Sequence, residues 1–104
     1  MSTYTQTSGS NAINTITIQA STYQRICLDW LDFSYSADPT SGGRVYVTNG
    51  LSTVMWDLDV TKGGAGPVYF NPPLCSSVGN AMTMNVAASG GVATSRLSVS
   101  YRYG

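Results

Sequence analysis

Histidine and glutamate do not occur in this 104-residue chain, and charge of either sign is scarce. Five Lys and Arg residues balance five acidic ones, all aspartate, so the net charge is zero. Charged residues make up 10% of the chain, against roughly 25% in ordinary soluble domains. Without histidine there is no imidazole base, no Ser-His-Asp or Cys-His arrangement and no His-containing metal site. Cys27 and Cys75 alone cannot complete a structural zinc site. Without net positive charge there is no electrostatic footprint for nucleic acid or for an anionic membrane surface. No apolar run approaches the roughly 18 residues of a membrane span. Gly63-Gly64-Ala65-Gly66 precedes no helical pattern, so it reads as a link and not as a phosphate cradle. The expectations are therefore no enzyme, no cofactor, no metal, and neither nucleic acid nor membrane as a partner.

The opening MSTYTQTSGSN has neither a basic n-region nor an apolar h-region. The chain is accordingly expected to be made in the cytoplasm, with Cys27 reduced and buried in preference to a disulfide with Cys75. Ser, Thr, Asn and Gly supply most of the polarity. A surface with so few charges repels its own copies weakly, which suits a protein covered by other subunits. It suits equally an extracellular β-domain with a hydroxyl-rich face.

What is present is strand. Turn signals recur along the chain and no stretch sustains a helical period. Residues 1–10 are polar and are expected to form a flexible arm, removable without unfolding the rest. Residues 11–104 are expected to form one domain. Ile16 and Ile18 share a face of a first strand. In the segment 23–35, Ile26, Leu28 and Trp30 share one face, then Leu31, Phe33 and Tyr35 the other, which predicts a bulge or bend near Trp30-Leu31. Asn49-Gly50 predicts a two-residue type I′ hairpin turn, with Val47 facing Ser52 and Val45 facing Val54. That register puts Val45, Val47, Val54, Trp56, Leu58 and Val60 on one face. A loop at 37–43 and a flexible link at 61–66 follow from their Gly, Pro and Ser content. Val68-Tyr69-Phe70 is a short strand ended by Pro72-Pro73, and Leu74 plugs the core. Met82, Met84, Val86 and Ala88 point inward from the next strand, and Leu97, Val99, Tyr101 and Tyr103 share a face of the last. These make seven strands, or eight if the long second segment splits. The fold class is all-β, an antiparallel β-sandwich of jelly-roll or immunoglobulin-like type.

Candidate sites are few. Asp57 and Asp59 share a strand face, a spacing open to calcium or to acid–base chemistry, but also that of a solvent-facing pair balancing Arg44. Asp29 and Asp32 flank the expected bend. Cys75 lacks any base to activate it. Trp30 and Trp56 fall in phase with the apolar face and are expected in the core. Tyr46 lies on the polar hairpin face with Leu51 and Met55, an outward patch suited to a partner. The alternative is that this face packs on the second sheet. With Tyr4 in the arm, Tyr46, Leu51 and Met55 are the expected interaction residues.

The hairpin around Val47-Thr48-Asn49-Gly50, the Trp56–Asp59 segment, the Gly-rich link, Tyr69-Phe70-Asn71-Pro72-Pro73-Leu74, the Asn80-Ala81-Met82-Thr83-Met84 strand and Gly91-Val92-Ala93-Thr94-Ser95 resemble small bacteriophage virion proteins. The resemblance covers residues 42–104. It implies an all-β, non-enzymatic virion component, foremost a capsid decoration (cement) protein. It also implies a homo-oligomer, expected as a trimer, whose partner is the major capsid protein or another virion protein. A tail or fibre accessory protein and a carbohydrate-binding module with Tyr46 as its contact are the alternatives.

Overall fold

The structure is a computed structural model, and it describes residues 2–37, 40, 43–60 and 66–104. Eight strands follow in order: β1 (Ser2–Thr7), β2 (Asn14–Ile18), β3 (Ile26–Tyr35), β4 (Gly43–Asn49), β5 (Thr53–Val60), β6 (Val68–Cys75), β7 (Met82–Val86) and β8 (Ser95–Tyr103). They form two four-stranded antiparallel sheets, ordered β1-β8-β3-β6 and β2-β7-β4-β5. The pairing is nested: β1 with β8, β2 with β7, β3 with β6 and β4 with β5. Only the step from β4 to β5 stays within one sheet, so every other connection carries the chain across the sandwich.

The eighth strand is not a split of the long segment. It comes from residues 2–7, which are a sheet strand and not a flexible arm. Their Thr-Tyr-Thr content suits a pleated edge, and Thr5 Oγ1 and Ser98 Oγ share a hydrogen bond of 2.8 Å. Side chains then fasten the strand to the opposite sheet. Gln6 Nε2 donates to Asn14 Oδ1 and to the Thr15 carbonyl, and Asn14 Nδ2 donates to the Gln6 carbonyl.

The bend in β3 exists and lies one residue earlier than expected. Register shifts between Leu28 and Trp30 against both neighbours: against β8 Asp29 is the extra residue, and against β6 residues 70–73 lie between the partners Tyr69 and Leu74. The bulge resets the alternation so that Ile26, Leu28, Leu31 and Phe33 all enter the same core. Trp30 is thereby turned out of it, half-buried and opposite Tyr69 and Ser100, contrary to the expectation for that residue.

The β4–β5 hairpin forms in another register. Gly50 has φ +78°, but Asn49 stays in the strand with negative φ, so the two positive-φ positions of a type I′ turn are not both present. Tertiary bonds explain this. Asn49 Nδ2 donates to Ser77 Oγ, and Asn49 Oδ1 accepts from Ser77 N and Asn80 Nδ2, each at 3.0 Å. The turn moves to Gly50-Leu51-Ser52, and Val47 faces Trp56 while Val45 faces Leu58. A shift after Val47 puts Val54 opposite Thr48. Val45, Val47 and Val60 are buried, and Trp56 packs against the core edge-on to Phe70, with ring centroids 5.3 Å apart. Val54 and Leu58 are exposed because β5 is a sheet edge.

Pro72 and Pro73 do not end β6. The strand passes through them as an edge strand, where a missing N–H leaves no ladder bond unmade, and pairing resumes at Leu74 and Cys75. Leu74 is half-buried against the core, and Met82, Met84 and Val86 are fully buried. Ala88 lies half-buried beyond the end of β7. Leu97 and Val99 are buried and Tyr101 packs beside them. Of the link at 61–66 only Gly66 is among the described residues, and of the loop at 37–43 only Ala37, Thr40 and Gly43.

Candidate functional site

The four expected interaction residues do not form one patch. Tyr4 is on β1 of one sheet, while Tyr46, Leu51 and Met55 belong to β4, the turn and β5 of the other. Met55 sits at the hairpin's register shift, half-buried against the core, so it is not an outward partner of Tyr46. Tyr46 is half-buried, and the Arg44 guanidinium stacks over its ring, 4.8 Å from the centroid. Arg44 also pairs with Asp57 at 2.9 Å. Cross-strand charge balance is therefore the role seen for Asp57, with the pair half-exposed and worth at most about 1 kcal/mol. Beside it runs a polar ladder: Thr15 Oγ1 donates to Asn85 Oδ1, Asn85 Nδ2 donates to Thr83 Oγ1, and Thr83 shares a hydroxyl bond with Thr48. Thr48, Thr83 and Asn85 are buried with these bonds made, and Thr15 is exposed at the end of the ladder, so the buried polar groups of this face keep their partners.

The cysteines are bonded to each other. Cys27 and Cys75 lie directly opposite in the β3–β6 pairing, with Cα atoms 4.0 Å apart, and form a disulfide. The expected reduced, buried Cys27 is corrected by register, a quantity that a separation of 48 positions conceals. Neither sulfur is left as a thiol. Asp29 reaches Arg102 at 3.5 Å across the β3–β8 pairing. Among the described residues, no three His, Cys, Asp or Glu side chains gather as a metal-binding group.

Leu51 belongs to a different assembly. At the end of the sandwich that carries the hairpin turn, three loops each present one exposed apolar side chain: Tyr23 at 87% exposure, Leu51 at 79% and Val78 at 50%. The loops are tied to one another. Asn49 joins the turn to Ser77 and Asn80, Gly50 N donates to the Ala81 carbonyl at 2.7 Å, and Gly79 N donates to the Gln24 carbonyl at 3.2 Å. Side chains on loops already fixed lose little freedom when a partner covers them. Tyr23 and Val78 were not legible as members of this end, because nothing in their local sequence places the three loops together.

Tyr4 faces inward, opposite Val99, at the side of the sandwich where β1 overlies β2. There the sheets enclose a cleft of about 380 Å³, with Tyr4, Tyr101 and Tyr103 on one wall and Ile16 and Ile18 on the other. Gln6 closes one end through Asn14, and at the other Tyr103 donates its hydroxyl to the Gln19 carbonyl at 2.7 Å. Comparison finds no protein-family model and no curated protein that matches the chain.

Proposed function

We propose that this is a non-enzymatic structural protein of a bacteriophage virion, foremost a capsid decoration protein that acts as a homo-oligomer. The observation that carries the reading is the braced apolar end formed by Tyr23, Leu51 and Val78. Three exposed apolar side chains on loops fixed by hydrogen bonds suit a permanent contact, and the nearly uncharged surface around the sandwich offers little repulsion between copies. We read the nested strand order as a jelly roll, the sandwich type found among viral capsid and lectin domains. That analogy raises the reading without fixing the partner. The resemblance of residues 42–104 to small virion proteins supports it from the sequence side.

Mechanistically, a rigid sandwich bridges neighbouring shell subunits, and a modest contact energy per copy is multiplied over many copies. The test is solution mass by light scattering over a range of concentrations. A stable species near three times 11.0 kDa is expected, reduced to monomer by Leu51→Asp with an unchanged circular dichroism spectrum. Occupancy on capsids should vary little with salt, since few charges take part. A wild-type protein that stays monomeric and binds no capsid overturns the reading.

A further inference from the structure

We propose that the cleft between β1 and β2 is a binding site for a neutral mono- or disaccharide. The proposal goes beyond assembly and stands whether or not the protein belongs to a shell.

The cleft's chemistry selects the ligand class. Its lining contains no charged side chain, so an anionic or cationic ligand would lose its hydration there without a counter-charge. A wholly apolar ligand fits no better, because it would strip water from the tyrosine hydroxyls and glutamine amides without replacing their hydrogen bonds. A pyranose offers what the lining lacks: an apolar C–H face for an aromatic ring and hydroxyls that both donate and accept. Tyr4 and Tyr103 are about half-exposed and Tyr101 is partly covered, with the Tyr101 and Tyr103 rings edge-to-face at 6.2 Å. The wall is thus pre-set, and Ile16 and Ile18 back it from the other sheet.

The polar groups are also available. The hydroxyls of Tyr4 and Tyr101 and the side-chain amide of Gln19 make no hydrogen bond within the described residues. Gln6 has committed its amide nitrogen to Asn14 Oδ1 and the Thr15 carbonyl, which fixes the carboxamide with its oxygen as the remaining acceptor. The volume of about 380 Å³ lies at the small end of ligand pockets, which run from about 300 to 1,000 Å³. Tyr46, by contrast, has one ring face occupied by Arg44 and is a poorer stacking platform.

The experiment is NMR of the tyrosine ring signals in the full chain during titration with maltose, cellobiose and N,N′-diacetylchitobiose at millimolar concentrations. At least one sugar should shift Tyr4, Tyr101 and Tyr103 and leave Tyr46 unmoved. Tyr4→Ala, at an edge-strand position, should weaken that sugar's binding roughly tenfold, the loss of one stacked ring. Gln19→Ala, on an exposed loop, provides a second variant that leaves the sheets untouched. The proposal is overturned if none of the sugars shifts the cleft tyrosines or if both variants bind as wild type does. It is likewise overturned if a uronic acid binds more tightly than its neutral counterpart, or if the cleft signals move with protein concentration alone, which would assign the cleft to a second copy.

Discussion

Gln6 and Asn14 grip each other across the gap between the two sheets. Gln6 Nε2 donates to Asn14 Oδ1 and Asn14 Nδ2 donates to the Gln6 carbonyl, both at 2.9 Å, and Asn14 Nδ2 reaches the Ser95 carbonyl as well. Asn14 is fully buried, so its amide has no water to fall back on.

Replacing Asn14 with Ala should therefore cost about 2–3 kcal/mol, since it strands a buried carbonyl and the Gln6 amide together. Gln6→Ala should cost less, because half-buried groups regain water. Removing residues 1–7 should cost more than either, by stripping the β8 edge. Urea denaturation of the three variants checks the ranking. An unaltered midpoint for the truncated chain would show that β1 contributes nothing to the fold.

The Cys27–Cys75 bridge closes a sequence separation of 48, for which the chain-entropy model gives about 4 kcal/mol and typical measurements run about 2–4. The Cys27→Ser, Cys75→Ser double variant should lose stability in that range. Alkylation under denaturing, non-reducing conditions followed by mass spectrometry should find no labelled cysteine in the wild type. Full labelling of both positions would contradict the bond.

Tyr35 should make stability depend on alkaline pH. Burial raises its pKa above the ordinary 10.0, and its hydroxyl donates to the Ala87 carbonyl at 2.9 Å. The folded state holds the phenolic proton more tightly than the unfolded state. Its contribution is complete below the unfolded pKa and is lost as pH rises through the folded one. Melting curves at pH values on both sides of that point should show a steeper alkaline loss for wild type than for Tyr35→Phe. Parallel curves would remove Tyr35 from the account.

Ser100 is fully buried and its hydroxyl has no hydrogen-bond partner among the described residues. Ser100→Ala should be neutral or should stabilise by up to about 1 kcal/mol, because the change removes an unpaid desolvation without opening a large cavity. A clear destabilisation would mean that the hydroxyl is bonded in solution.

Much of the fold was legible because period-2 alternation survives wherever one sheet face meets the core. The inward sets Ile16 and Ile18, Met82, Met84 and Val86, and Leu97 and Val99 follow directly from that pattern. The phase change read at Trp30-Leu31 also gave away the bulge, which lies at Asp29. Residues 2–7 were missed as a strand because their side chains are mostly exposed, so polarity hid the β-branched and aromatic signal of Thr3, Tyr4 and Thr5. The hairpin register was missed because Asn49, a favoured turn residue, is engaged by Ser77 and Asn80 from another loop.

The candidate sites were less legible for a related reason. Leu51 could be read as outward from its place beside a turn, but its neighbours Tyr23 and Val78 arrive from elsewhere in the chain. Tyr4 meets Tyr101 and Tyr103 only because the first and last strands pair.

By itself, the sequence determined the all-β class, the main core faces and the poverty of charge, since each depends on residue type and local period alone. The tertiary structure alone decided the Cys27–Cys75 bond, the displacement of the hairpin turn, the Asn14–Gln6 clamp and the tyrosine cleft. The bond and the cleft arise from strands far apart in sequence meeting at one register, the turn is displaced by a loop from elsewhere in the chain, and Gln6 meets the nearby Asn14 only because the two sheets stack. Register and stacking are fixed by the packing of the whole sandwich and not by any short stretch of it.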